Sequence, residues 1–337
     1  MDEPQDVEAE TDFELPPPVM YYDENGIGGL EMWLEPKPTV ARVWHYTDSV
    51  GAQGIVGSGQ LWASSILSLN DSEEYRYGAR LLHDLVQQVS ASRTVPALQK
   101  GFIEKVALLV VKSMPYRRFF VCCASEDPDS LSQWRAYGGG VGYAVGLDVT
   151  DDGALDILDE TAPKRRLSRS VTHGMDGTFL SWARVLYERT EQEGLLLKGL
   201  SMLANVPDEL VDKRSMRVEY AAGFLSSLTI LCKHPSFRDE KEVRMIASVP
   251  EGHPSIKFRP GRFGVTPYVR IVQPPPGVDS TGPMFRRGVA RQGQLPISAV
   301  NVGPSPHAES ATDGMRQLLV ANRLGSIPLG HADTPFR

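Results

Sequence analysis

Three short segments, far apart in the chain, carry side chains that could bind a nucleotide and act on it. They span residues 44–47, 120–137 and 239–244, and each lies at the edge of a predicted strand. Together they offer a histidine, an aromatic pair and two carboxylates. A histidine can hydrogen-bond a sugar hydroxyl, an aromatic ring can stack on a planar base, and a carboxylate can stabilise a developing cation.

The first segment places His45 and Tyr46 near the end of a short predicted strand. Two interpretations of His45 stay open: its ring binds a ligand, or it is half-buried and satisfied within the sheet. Thr47 precedes a predicted helix at 49–59. We expect Thr47 to cap that helix rather than to contact a substrate.

The second segment ends in a predicted one-turn helix, 130–136, which carries Ser132 and Trp134 and is followed by Tyr137. Residues three or four apart lie on one side of a helix, so the two rings are predicted to be neighbours. Either one ring stacks on a ligand, which adds about 1 kcal/mol beyond area burial, or the rings pack in the core. Tyr143, on the next predicted strand, is a second candidate for stacking.

The third segment places Glu240, Glu242 and Arg244 at alternate positions of a predicted strand. Alternation puts all three side chains on one face. Two close carboxylates raise the pKa of at least one of them unless a cation lies between them, and Arg244 is the obvious partner. The alternative is a surface ladder of salt bridges with little energetic weight.

Further candidates lie outside these segments. Asn70, Asp71 and Glu74 form either a helix cap with its solvated first turn or a contact with an acceptor molecule. His234, beside a proline, is either structural or a further acceptor contact. We expect no metal, because the histidines and carboxylates lack the spacing of a zinc site. A serine hydrolase is disfavoured because no GxSxG elbow is present.

Composition indicates an ordinary globular protein. The 337 residues are 41% hydrophobic and 23% charged. No apolar run approaches the roughly 18 residues of a membrane helix, and the acidic N-terminus lacks the features of a signal peptide. The three cysteines form no CxxC pair. We therefore expect a cytoplasmic protein with no membrane partner.

The charge is unevenly distributed. Residues 1–38 carry a net charge of −10, which leaves +3 for the rest of a chain whose total is −7. The first 38 residues show no sustained periodicity, so we predict an acidic, mobile arm there. The slightly basic remainder would permit a nucleic-acid partner but does not by itself indicate one.

Hydrophobic periodicity predicts two groups of strands with helices between them over residues 39–337. Two long helices at about 178–204 and 208–231 are predicted to form a helical insertion. Strands that cluster in this way favour a mixed α+β domain over a regular βαβ array.

Scattered blocks between about residues 42 and 337 resemble DUF2971, a family of uncharacterised bacterial proteins. The blocks that carry the resemblance are His45-Tyr46-Thr47, 54–62, 69–74, 123–138, 233–237, 240–244 and 302–304.

A more distant likeness concerns chemistry. The order of three features in this chain is similar to that of ADP-ribosyltransferases of the His-Tyr-Glu type. The first is a strand with His-x-Thr. The second is a strand, turn and helix bearing an aromatic residue, and the third is a glutamate at the start of a strand. These include DarT-type DNA-modifying toxins and the poly-ADP-ribose polymerases. The resemblance implies a split, twisted sheet of the ADP-ribosyltransferase fold. It also implies transfer of ADP-ribose from NAD to a macromolecular acceptor, protein or nucleic acid, in a toxin or antiphage-defence setting.

The same resemblance implies roles for individual residues. The His45 ring would bind the adenosine ribose of NAD, and backbone near Tyr46 would pair with the nicotinamide amide. Glu242 would bind the other ribose and stabilise an oxocarbenium-like centre, while Glu240 would position or deprotonate the acceptor. The residues expected around NAD are His45, Tyr46, Thr47, Ser132, Trp134, Tyr137, Tyr143 and Arg244.

Two other functions stay open at this point. One is a catalytically silent nucleotide-sensing or protein-interaction module of the same fold. The other is a nucleic-acid hydrolase, which would require a metal or a basic groove.

Overall fold

A computed structural model describes residues 14–16, 36–69, 74–112, 118–149, 155–158, 179–206, 216–261, 264–273 and 295–333. Its strands are β1 (Arg42–Asp48), β2 (Gln60–Ser65), β3 (Phe119–Ser125), β4 (Gly142–Asp148), β5 (Asp156–Ile157), β6 (Phe179–Arg184), β7 (Glu242–Ser248), β8 (Lys257–Gly261), β9 (Gly264–Val272), β10 (Ile297–Val302) and β11 (Leu329–His331). Its α-helices are α1 (Ser49–Ser58), α2 (Glu74–Ala91), α3 (Ala97–Val111), α4 (Leu131–Tyr137), α5 (Arg189–Ala204), α6 (Met216–Ile230) and α7 (Ala308–Ala321). Two 3₁₀ segments span Ile66–Ser68 and Pro235–Glu240.

The eleven described strands form one open sheet. One run of neighbours is β11-β10-β4-β1-β3-β2-β9-β5, while β7 pairs with β3 and β6, and β8 pairs with β9. All the pairs are antiparallel except β10 with β11. A mixed α+β chain with an open, twisted sheet is therefore confirmed. Its identity with the ADP-ribosyltransferase fold stays a prediction.

The sheet divides at β3. One edge of β3 pairs with β7 from Phe119 to Ser125. On the other edge, β2 pairs only with Phe120 and Val121, and β1 only with Ser125. Cys123 lies between these two pairings, where β1 and β2 diverge. We call this gap the fork.

Two cores cover opposite faces of β3, and this explains its continuous apolar sequence. Phe119 and Val121 pack with helices α2, α3, α5 and α6 on one face. Phe120 and Cys122 pack with β1, β2, β9, α1 and α7 on the other face. Because β3 is buried on both faces, any polar side chain on it or on β7 must find a partner inside the protein.

The prediction of a helix from residue 178 is wrong over its first residues. The segment Phe179–Arg184 is instead strand β6, which pairs with β7, and the helix begins only at Arg189. Aromatic residues and pairing with a buried neighbour outweigh helix propensity there. The second predicted helix is present as Met216–Ile230.

Part of the predicted acidic arm contacts the helical core. Leu15 packs against that core, and the Ser201 hydroxyl donates a hydrogen bond to the Pro16 carbonyl. At residue 36 the chain contacts the sheet, because the Arg184 backbone N–H donates to the Pro36 carbonyl over 2.6 Å. Residues 1–13 and 17–35 lie outside the described residues.

A close approach between helices α2 and α6 gives a first testable prediction. A Cβ atom at Gly78 would lie 2.2 Å from the Thr229 carbonyl oxygen. Gly78→Ala is therefore expected to lower the free energy of unfolding by about 1–3 kcal/mol, although alanine is the better helix former. Urea denaturation followed by circular dichroism would measure the change.

Gly101 in α3 provides the matched control. A Cβ atom there would meet nothing within 4 Å. Gly101→Ala is expected to raise the free energy of unfolding by about 0.5–1 kcal/mol. Equal effects of the two substitutions would contradict the proposed contact between the helices.

Candidate functional site

A buried cluster of four charged side chains lies where β7 begins. The Arg244 guanidinium binds Glu242 with two hydrogen bonds, Nε to Oε1 at 2.7 Å and Nη2 to Oε2 at 2.8 Å. Lys233 donates through Nζ to Glu242 Oε2 at 3.0 Å and to Glu240 Oε2 at 2.6 Å. We call Lys233, Glu240, Glu242 and Arg244 the ion cluster. The formal charge of the ion cluster is zero. Lys233, Glu242 and Arg244 are buried, and Glu240 is the most accessible of the four.

Glu242 stays ionised inside this cluster. Burial by itself would raise the pKa of the carboxyl group, but the charges of Arg244 and Lys233 outweigh burial and lower it to about 2. The Glu242 backbone N–H donates to the Tyr187 hydroxyl at 3.0 Å. The carboxylate is thus a fixed negative charge at neutral pH.

The sequence-based account of Glu240 was wrong in its geometry. Glu240 ends the 3₁₀ segment Pro235–Glu240, and Lys241 follows with a φ of 43°, so the strand begins only at Glu242. The two carboxylates come together because both bind Lys233, not because they share a strand face. The predicted pairing of Glu242 with Arg244 on one strand face is confirmed.

Sequence reasoning missed Lys233 and Tyr187 as members of the site. One signal for Lys233 was present, since it is a single cation directly after the apolar run 223–232. A lysine next to such a run must either reach solvent or find an acid inside the protein. Tyr187 lies in the segment that was predicted to be helical, and its sequence context carries no such signal.

His45 lies at the fork. Its Nδ1 atom is 2.7 Å from the Cys123 carbonyl oxygen, so Nδ1 carries the proton and donates. Burial lowers the pKa of the ring, which favours the neutral form with an unprotonated Nε2. The ring is half-buried, and Nε2 has no hydrogen-bond partner among the residues that the structure describes. Nε2 can therefore accept a hydrogen bond from a ligand.

Cys123 connects the first segment with the third. Its carbonyl accepts the His45 hydrogen bond, and its thiol lies beside the Glu242 carboxylate, close enough for each group to shift the pKa of the other. Burial and the charge of Glu242 raise the pKa of this thiol well above its usual value, so it stays protonated. One residue of β3 thus contacts His45 of the first segment and lies beside Glu242 of the third.

Tyr46 and Trp134 are core residues. Their rings meet edge to face with centroids 4.6 Å apart, and both side chains are buried. The Tyr46 hydroxyl donates to the Asp127 carbonyl at 2.7 Å and accepts from the Ser130 N–H at 2.9 Å. Trp134 Nε1 donates to Asp129 at 2.7 Å. Of the two uses weighed for Trp134, this geometry is that of core packing, and it leaves no ring face for a ligand.

Tyr137 is the accessible aromatic residue of the second segment, with 45% of its surface exposed. Partial burial and the negative charges of Glu242 and Glu240 raise the pKa of its phenol, so the hydroxyl lies near the ion cluster. Ser132 is exposed and shares a hydrogen bond of 2.9 Å with Ser130. Tyr143 is buried and packs against α7, with its hydroxyl 3.3 Å from the Ala311 carbonyl.

The remaining candidates lie elsewhere. The capping prediction for Thr47 is wrong, because Asp48 caps α1 by accepting from the Gly51 N–H at 2.8 Å. A carboxylate is as good a cap as a hydroxyl, and it stands one residue closer to the helix. His234 is exposed and accepts from the Ser236 N–H at 3.2 Å. Asn70 and Asp71 lie outside the described residues; Glu74 begins α2, and its side chain is not described.

Residues 133–245 match the family model DUF2971, described as a protein of unknown function. The match covers about a third of the chain and supports the DUF2971 resemblance. It includes the whole ion cluster and Tyr137, whereas His45 lies before it. No curated protein and no solved structure matches this chain.

The described ranges hold neither a metal-binding cluster nor a membrane-spanning helix. No group of three or more histidine, cysteine, aspartate and glutamate side chains there is placed to hold a metal ion. No helix in the same ranges combines the length and the apolar character needed to cross a bilayer.

Proposed function

We propose that this DUF2971-like protein transfers ADP-ribose from NAD to a macromolecular acceptor, protein or nucleic acid. The observation that carries the proposal is the convergence of the three segments at Cys123, whose carbonyl accepts from His45 and whose thiol lies beside the Glu242 carboxylate. A nucleotide lying along the fork would meet a neutral histidine at one end and an anionic carboxylate at the other. If the acceptor is essential to a cell or a phage, the reaction would be that of a toxin or defence effector.

In this proposal, His45 binds a ribose hydroxyl of NAD. Its free Nε2 accepts the hydrogen bond, because Nδ1 is held by the Cys123 carbonyl. Tyr137 is the aromatic residue that can stack on nicotinamide, since its ring is accessible and Trp134 is enclosed.

Glu242 supplies the negative charge that the reaction needs. The bond between nicotinamide and ribose C1′ breaks with both electrons leaving on nicotinamide, and positive charge develops on the ribose ring. A ribose hydroxyl reaches Glu242 Oε2 by displacing Lys233 Nζ, which is 3.0 Å away and farther than Arg244 Nη2 at 2.8 Å, while Lys233 keeps Glu240 at 2.6 Å. Glu240, more accessible than Glu242, then takes the proton of the acceptor as it attacks C1′.

One observation favours a second function, that of a nucleotide-sensing module without turnover. The Glu242 carboxylate already accepts hydrogen bonds from Arg244 and Lys233, and its exposure is only 6%. A carboxylate so fully paired can serve structure alone. In that case the fork binds a nucleotide through His45, and no bond in it is broken.

The test is nicotinamide release from NAD, measured for the purified full chain with and without cell lysate as a source of acceptor. Wild type is expected to release nicotinamide. Glu242→Gln is expected to reduce the rate about 100-fold or more, because it removes the charge that stabilises the transition state. The assay temperature is one at which circular dichroism shows that the variant is folded.

Two further measurements separate the alternatives. The sensing module would be established by two results together. Wild type releases no nicotinamide, and NAD raises the thermal stability of wild type and Glu242→Gln but not that of His45→Ala. Absence of both release and stabilisation in wild type would overturn the use of NAD altogether. Glu240→Gln serves as the matched variant, because it changes the accessible carboxylate and leaves the Arg244–Glu242 pair in place.

A further inference from the structure

A second surface, away from the fork, carries aromatic and cationic side chains together. On β2 and β9, Trp62 stacks on Tyr268 with ring centroids 4.4 Å apart and planes inclined by 26°. Trp62 still exposes 45% of its surface. A tryptophan that is stacked on one side and open to solvent on another presents a flat apolar platform.

Strand register brings three cations to the same face. Trp62 pairs with Arg270, and Tyr268 pairs with Lys257 on β8. Paired residues of antiparallel strands point to the same side, so these side chains lie on the face of the two rings, with Nε and Nη2 of Arg270 buried. Arg259, two residues after Lys257, also lies on this face. We call Trp62, Tyr268, Lys257, Arg259 and Arg270 the aromatic–cation face.

Arg259 connects strand β8 with strand β2 on this face. Its guanidinium crosses β9 and donates through Nη2 to the Ser64 hydroxyl at 3.0 Å, and its Cζ atom is 5.7 Å from the Trp62 ring centroid. Strands β2, β8 and β9 contain no acidic residue at any position. A positive charge held beside an open indole is therefore not neutralised by an acid on these strands.

We infer that the aromatic–cation face binds single-stranded nucleic acid. An unpaired base has a flat face that can stack on Trp62, and its neighbouring phosphates complement the positive charges of Arg259 and Lys257. A duplex fits less well, because its bases are already stacked on one another. The inference does not depend on NAD chemistry, since no member of this face belongs to the ion cluster or contacts His45.

The test is fluorescence anisotropy of a labelled oligothymidylate of about 12 nucleotides, a length within the range that a single binding module covers. Wild type is expected to bind it more tightly than a duplex of equal length. Trp62→Ala is expected to weaken binding about tenfold or more, because it removes one base-stacking contact. Trp62→Phe keeps a ring and is expected to retain most of the affinity. A loss common to both variants would contradict stacking.

Phe258 supplies the matched control. It lies on β8 between Lys257 and Arg259, exposes 66% of its surface and points to the opposite face. Phe258→Ala is expected to leave the affinity unchanged. Equal weakening by Phe258→Ala and Trp62→Ala, or absence of binding by wild type, would overturn the inference.

Salt dependence tests the cations separately. Arg259→Leu is expected to reduce the slope of log affinity against log salt by about 0.7, the value for one phosphate contact on a single strand. Polyglutamate is the competitor that distinguishes nucleic acid from an acidic protein partner. If polyglutamate displaces the labelled oligonucleotide as effectively as unlabelled oligothymidylate does, the face binds acidic polypeptides and the inference is overturned.

Discussion

Replacing Arg244 with methionine is expected to lower the free energy of unfolding by about 3–5 kcal/mol, because it leaves the Glu242 carboxylate buried with only part of its charge compensated. Arg244 is 2% exposed and donates two hydrogen bonds to Glu242. Its third, from Nη1 to the Ile230 carbonyl at 2.7 Å, would also be lost. Urea denaturation at neutral pH would measure the change.

Two controls show whether the loss comes from burial. The exposed pair Arg189–Glu193 has a contact of 2.5 Å, shorter than those of Arg244, yet Arg189→Met is expected to cost less than about 1 kcal/mol. The double variant Glu242→Leu with Arg244→Met removes both charges of this pair, leaves Lys233 paired with Glu240, and is expected to be more stable than Arg244→Met alone. A double variant that is less stable than Arg244→Met would contradict this account.

The second large effect is on the pH dependence of stability. The pKa of Glu242 falls from an ordinary 4.5 to about 2 on folding. A carboxyl group with a lowered folded pKa contributes stability above its unfolded pKa, and the contribution disappears as pH falls through the folded pKa. Glu242 therefore contributes on the order of 3 kcal/mol at neutral pH. This contribution is lost between pH 4.5 and about 2.

Glu242→Gln isolates this contribution, because glutamine has the shape of a glutamic acid that carries its proton. Denaturation curves of wild type and variant would be recorded at several pH values from neutral to acid. The two free energies of unfolding are expected to differ most near pH 7 and to converge as pH falls below the unfolded value of 4.5. A difference that stays constant with pH would show that Glu242 does not titrate as its surroundings indicate.

These stability effects bear on the proposed reaction. A carboxylate held at low pKa by two cations is available as an anion at any physiological pH, which suits charge stabilisation and excludes a role as a general acid there. The accessible Glu240 is the better placed of the two carboxylates to exchange a proton with an acceptor. The proposed division of labour between the two acids therefore follows from their different burial.

Sequence alone determined the features that depend on local pattern. Alternating apolar residues and turn signals predicted most strands and helices, and alternation alone placed Glu242 and Arg244 on one face of β7. It also selected the three segments that meet at the fork. These results come from neighbours in sequence, whose geometry is set by the backbone period.

Tertiary structure decided which side chains are enclosed and which long-range partners they find. Trp134 and Tyr137 stand three residues apart on α4, yet one is buried and the other exposed, because only Trp134 faces Tyr46. Lys233 joined the ion cluster, and β6 replaced a predicted helix, through contacts made across the fold. Composition and spacing do not specify the partners in such contacts, because burial and pairing depend on the packing of segments that are remote in sequence.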